Sequence, residues 1–291
     1  MKNTIILPNS LGILSIDNVL NQAVTENLIP KSTQIEYDFK KLSFIDATGI
    51  TVFSNLIEWL RSKRIAQSFI NLKPHSTPIR FLDDSLFFER YLKAKLSKDA
   101  KPRDTTIPLK LIKHANSHLW VERDCINWLA ARLQISRKAL IEIKICLLEL
   151  FNNIRDHSGV DTGCVFIQHY PKLKKIVISL SDFGSGIPAN VKKVHPNISD
   201  GDAVLLALNE GFTTQTTNRN RGVGLHLLAQ TIVSNGGSMA IRSGAAHIHC
   251  EKAYKNDLSK YSGYYAGTLF EISLRTDHFD ASLADEEEFE W

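Results

Sequence analysis

The sequence predicts an α/β (α+β) protein in two parts. Three observations carry this. The first hundred residues alternate extended and helical apolar patterns. A charged stretch with two prolines then breaks the periodicity. The remainder runs helix, helix, strand, strand, helix, helix and two further strands, with short glycine-bearing motifs at the joins.

A chain of 291 residues, 43% hydrophobic and 23% charged, has the length of two domains, each able to bury its own core. A formal charge of +4 gives no argument for nucleic acid or a membrane surface. Nothing reads as a helix-turn-helix, and basic residues are not gathered in one element. Cys125, Cys146, Cys164 and Cys250 lack C-x-x-C spacing and read as buried thiols in a reducing compartment. Asn9, Ser10 and Asp17 interrupt the N-terminus as a signal sequence. No stretch approaches the ~20 apolar residues that cross a bilayer. A cytoplasmic protein without a membrane segment is expected.

In the first part, Gln34 to Phe39 alternates as a strand does. A turn follows, with Asp46 and Gly49. Val52, Phe53, Leu56, Ile57, Trp59 and Leu60 then form one stripe of a helix over 51–64. Ser68 to Leu72 is a second strand, stopped by Pro74. Phe81, Leu82, Leu86, Phe87 and Tyr91 mark another helix. The first domain is expected over 1–97 and a linker over 98–108, KDAKPRDTTIP.

The second domain is expected over 109–277. Helices are predicted over 119–133 and 137–156, with Ser136 suited to cap the second. Cys164–Tyr170 and Lys175–Ser181 read as a hairpin near Pro171. A short helix over 204–209 and a longer one over 222–234 follow, the latter ended by Asn235-Gly-Gly237. Strands are predicted at 238–242 and 268–275. Residues 243–267, polar and tyrosine-rich, look like an insertion, and 278–291 like a solvated acidic tail.

Three motifs bear chemistry. Glu149, Asn153 and His157 recur every fourth residue and share a helical face. A partly buried carboxylate there is a candidate general base whose proton affinity would rise with desolvation. An amide oxygen one turn on suits Mg²⁺. The same residues could also be a polar surface stripe. Asp182-Phe-Gly184-Ser-Gly186 follows an apolar run; an acidic residue there can accept a hydrogen bond from an exocyclic amine such as that of adenine, and glycines allow a flat base close approach. The letters D-F-G occur in protein kinases, but no V-A-I-K or H-R-D precedes them. Arg221-Gly222-Val-Gly224-Leu opens a helix, where free N–H groups and the dipole favour phosphate, although the spacing is not that of a P-loop.

In this order the motifs describe an ATP·Mg site. They resemble the ATP-binding domain shared by DNA gyrase, heat-shock chaperones, histidine kinases, MutL proteins and anti-sigma-factor kinases. Ser234 to Ser243 and Gly267-Thr268-Leu-Phe-Glu-Ile resemble its closing strands. The resemblance implies a Bergerat-type two-layer α/β sandwich, helices on a mixed sheet, with ATP and Mg²⁺ as cofactors beneath a lid over 188–221. It makes Asn153 the Mg²⁺ ligand and Glu149 the base. Asp182, Gly184, Gly186 and Thr268 would hold adenine, and Arg221, Gly222 and Gly224 the phosphates. His157 has no assigned role, and the length of 243–267 departs from the pattern.

Tyr37 to Ile50, YDFKKLSFIDATGI, followed by an apolar helix, resembles a STAS domain, the anti-sigma-antagonist module. Thr48 then stands at the position that accepts phosphate in that family, although a threonine there also suits a helix cap. The combined resemblances imply an anti-sigma-type serine/threonine kinase or ATPase that regulates a protein partner through its STAS domain. The alternative is a nucleotide-dependent switch without protein phosphorylation. Kinases of that type commonly dimerise through this domain, so a homodimer stays open.

Overall fold

The computed structural model describes residues 2–25, 29–157, 162–212, 224–251, 254–256 and 263–277. The first domain holds β1 (Lys2–Ile6), β2 (Ser10–Leu11), α1 (Ile16–Ala23), β3 (Gln34–Asp38), β4 (Phe44–Ile45), α2 (Ala47–Ser62), β5 (Ala66–Ile70), α3 (Thr77–Asp84) and α4 (Phe87–Leu92). Its three-stranded sheet has the order β1-β3-β5, all parallel. Strands β1, β2 and β4 and helix α1 are not among the elements the sequence predicts. The helix expected around Phe81–Tyr91 is two helices. Ser85 closes the first by bonding back to the Phe81 carbonyl at 2.6 Å, and Leu86 adopts a left-handed φ of 64°.

Helix α2 organises the molecule. Asp46 caps it, its Oδ1 accepting from the Gly49 N–H at 2.8 Å, so Thr48 is not the cap. At Gly49 an added Cβ would lie 2.2 Å from the Leu11 carbonyl oxygen, which restricts this close approach to glycine. Ile50, Phe53, Leu56, Ile57 and Leu60 are buried in the first domain's core, where Phe53 stacks on Phe87 at 5.3 Å. Yet the polar residues Thr48, Thr51 and Asn55 are buried too. A helix buried on two faces over most of its length lies between two layers, and the second layer is the sheet of the second domain.

That domain comprises β6 (Thr106–Lys113), α5 (His114–Trp120), a π-helical turn (Val121–Cys125), α6 (Ile126–Leu133), α7 (Ile141–His157), β7 (Thr162–Tyr170), β8 (Lys175–Asp182), α8 (Gly186–Val191), α9 (Asp200–Ala207), α10 (Gly224–Ser234), β9 (Ser238–Gly244), β10 (Ala246–Cys250), β11 (Tyr254–Asn256) and β12 (Tyr265–Arg275). The sheet order is β11-β10-β9-β12-β8-β7-β6. The predicted mixed sheet is corrected: among the described residues all six pairings are antiparallel. Strands β8 and β9, joined through helices, do run in one direction. Strand β12 inserts between them and opposes both, which removes the parallel pair. The expected insertion, 243–267, supplies β10 and β11 and widens the sheet.

The expected linker also differs. Strand β6 starts at Thr106, within the stretch read as linker. Pro108 sits where the β6–β7 register shifts, on an edge strand, the setting that tolerates a residue without an N–H. Ahead of it, Asp99 pairs with Arg80 at 2.7 Å and Arg103 with Asp84 at 2.9 Å, tying the segment to α3.

Alternation along β8 defines the layers. Ile176, Ile178 and Leu180 join the core beneath α6, α7 and α10. Val177 and Phe183 join the core shared with the first domain, as do Cys164, Phe166 and Leu269 of neighbouring strands. The molecule is therefore layered as first domain, sheet, helices. The interface between the first domain and the sheet is partly polar. Buried Arg242 places Nη2 2.7 and 2.9 Å from the two carboxylate oxygens of Asp17 on α1. All four cysteines are buried and free. Among the described residues no helix is long and apolar enough to cross a membrane.

Candidate functional site

Asp182 ends β8 on the helix side of the sheet and is 3% exposed. Its carboxylate accepts from the Gly184 N–H at 2.7 Å and from the Thr268 N–H across the β8–β12 pairing. Burial outweighs these bonds and pushes its carboxyl up to about 7. The group is thus poised to exist in either protonation state near neutrality.

Backbone closeness builds the surroundings. Gly186 has φ 79°, and a Cβ there would meet Ser243 Oγ at 2.7 Å and the Gly267 carbonyl at 2.8 Å. Gly267 has φ 81°, and its Cβ would stand 2.2 Å from the Asp182 carbonyl oxygen. No L side chain fits either position. Ser243 binds these strands together: its hydroxyl donates to the Gly267 carbonyl at 2.7 Å and accepts from the Ile187 N–H at 2.9 Å. Thr268 Oγ1 lies 3.3 Å from the same hydroxyl.

Helix α7 carries Glu149 and Asn153, both half-buried. Ser136 Oγ accepts from the Ala139 N–H at 3.3 Å ahead of the helix. Asn152 donates weakly to Glu149 at 3.5 Å, and its carbonyl oxygen is 3.0 Å from His114 Nε2 at the start of α5. The side chain of His157 lies outside the described residues, as do Arg221 and Gly222. Gly224 is the first residue of α10, which packs along α7, where Thr231 donates to Glu142 at 3.3 Å. The first half of the expected lid is anchored. Asp200 accepts from the Ala245 N–H at 2.8 Å and pairs with Lys192, while Val204 and Leu208 join the core.

Asp182, Gly184, Gly186 and Thr268 are thus brought together at one end of the sheet. Ser243 and Gly267 join this cluster and are not among the site residues the sequence predicts. Gly267 directly precedes Thr268, so its adjacency in sequence is a signal for it. A serine 56 positions from its backbone partner, as Ser243 is from Ile187, gives none.

Thr48 stands elsewhere. It is fully buried on the opposite side of the sheet, its hydroxyl donating to the carboxylate of Glu271 on β12. In this arrangement the hydroxyl is closed to any phosphoryl donor on the helix side. Beside it, burial raises the Asp46 carboxyl to about 6, with the Glu271 charge adding to the effect.

A helical layer on an antiparallel sheet, with a buried aspartate and a glycine pair at the strand end, defines a nucleotide-binding α/β sandwich. Residues 139–278 match the family model described as histidine kinase-, DNA gyrase B-, and HSP90-like ATPase. Over those residues the chain is similar to that family. No curated protein matches the chain.

Proposed function

We propose that this domain binds ATP with Mg²⁺ on the helix side of its sheet, and that binding and turnover switch the output of a STAS-like first domain toward a regulatory protein partner. The observation that carries the reading is the buried Asp182 carboxylate, flanked by Gly184, Gly186 and Thr268. A buried acceptor beside a glycine cradle fits the exocyclic amine and flat face of adenine. Asn153 supplies the hard oxygen that Mg²⁺ takes, and the metal would neutralise phosphate charge there. Gly224 opens α10, so its N–H belongs to the free first turn of a helix; with Arg221 and Gly222 it is assigned to the phosphates. Glu149 accepts the proton of the attacking water.

A second reading, an anti-sigma-type kinase acting on Thr48, is favoured by the place of Thr48 beside Gly49 at the start of α2. It requires the Thr48–Glu271 contact to open. Incubation with γ-labelled ATP and Mg²⁺ separates the two. Label released as free phosphate, unchanged in Thr48→Ala, is the result for a switch. Label on protein that Thr48→Ala abolishes is the result for the kinase. Absence of ATP binding by the parent chain would reject both.

A further inference from the structure

Strand β8 is held from behind. Its residues alternate, so while Asp182 points to the helix side, Ser179, Ser181 and Phe183 point at the first domain. Helix α2 meets them in step. The Thr51 hydroxyl reaches the Ser179 carbonyl at 3.4 Å. Asn55 Nδ2 donates to Ser181 Oγ at 2.9 Å. Trp59 meets the ring of Phe183 edge-on, centroids 6.1 Å apart. Four helical residues rise about 6 Å, and two strand residues about 6.8 Å. An i, i+4 ridge on α2 therefore matches an i, i+2 ridge on β8 over this length, and the two run side by side.

The last two contacts grip the residues either side of Asp182. Ser181 is further bonded to the hydroxyl of Tyr265, and Phe183 packs on the Tyr265 ring at 5.5 Å. Tyr265 starts β12, three residues ahead of Thr268. The two strand ends that carry Asp182 and Thr268 are thus joined to each other and to α2 through one buried cluster. A cavity of about 30 Å³ beside Trp59, Phe183 and Tyr264 leaves the Phe183 ring a little room.

Resting on the ATP-binding reading above, we infer that Asn55 and Trp59 of the first domain are positioning residues for the adenine subsite of the second, acting through Ser181 and Phe183. Neither touches nucleotide. They fix the strand end that presents Asp182 and the glycine turn behind it. The consequence runs both ways, because coupling between two sites is reciprocal: nucleotide on the helix side biases the packing of α2 on the other side.

The test uses the full chain and a fluorescent ATP analogue with Mg²⁺. Asn55→Ala and Trp59→Ala are expected to weaken binding five- to tenfold, and Trp59→Phe, which keeps an aromatic edge against Phe183, to recover most of it. Thr51→Val is the control, since it disturbs the same interface farther from the turn; its affinity should match the parent at a comparable loss in Tm. In a chain with Trp59 as its sole tryptophan, nucleotide should shift the Trp59 emission. Parent-like affinity in both alanine variants, an equal loss in Thr51→Val, or a silent Trp59 would each overturn the inference while leaving the nucleotide site standing. A parent chain that binds no ATP would remove the site itself.

Discussion

Acid should weaken adenine recognition through Asp182 alone. With its carboxyl at about 7 before ligand binds, the fraction able to accept the adenine amine falls steeply below neutrality. The apparent dissociation constant scales with the inverse of that fraction. The factor is about 1.1 at pH 8 and about 11 at pH 6, a tenfold loss equal to about 1.4 kcal/mol. Bound amine favours the ionised form, so binding also releases a proton. Competition by adenosine, which has no phosphate to titrate, measures the effect at pH 6, 7 and 8 and constant ionic strength. The matched control is Asp182→Asn, whose amide oxygen still accepts but does not titrate. It should bind more weakly than the parent at pH 8 and show no slope. An equal slope in both proteins, or a flat profile in the parent, would refute the assignment of Asp182 to the base.

Other outcomes follow from the same geometry. Asn153→Ala should abolish Mg²⁺-dependent nucleotide binding, and unchanged Mg·ATP affinity by calorimetry would remove it as the metal ligand. Glu149→Ala should bind ATP as the parent does and lose phosphate release; equal turnover would exclude it as the base. Asp17→Ala should destabilise the chain by about 3–5 kcal/mol in urea unfolding, because it strips the carboxylate from Arg242, a cation 1% exposed. Asp17→Leu with Arg242→Met should recover most of that loss, and failure to do so would mean that the pair acts through something other than charge. Asp182 and Asp46 are both raised in the folded state by burial. Their contribution to stability is therefore full below about pH 4 and is lost as pH rises through about 6 and 7. Asp182→Asn should remove the upper part of that change in Tm.

Much of the candidate site was legible because its parts are local. Glu149 and Asn153 follow helical spacing on one element. Asp182, Gly184 and Gly186 lie within five residues, where a strand must end and turn. Such features survive in a linear string because the backbone period alone places them together. The β7–β8 hairpin and the apolar stripe of α2 were readable for the same reason.

What the string could not carry is the second surface of each element. Thr48, Thr51 and Asn55 sit on the polar side of an amphipathic pattern, which by itself reads as the solvated side. They are buried because β8 and β12, more than a hundred residues later, lie across them. Asp17 and Arg242 are 225 positions apart and form one ion pair. The direction of β12, which decides that the sheet is antiparallel throughout, depends on a slot that exists only once β8 and β9 are in place. Local periodicity thus determined which elements form and where the chemistry-bearing residues fall along them. Long-range packing decided which faces are buried, because burial depends on what arrives from distant sequence, and so set helix α2, with Thr48, against the sheet on the side away from Asp182.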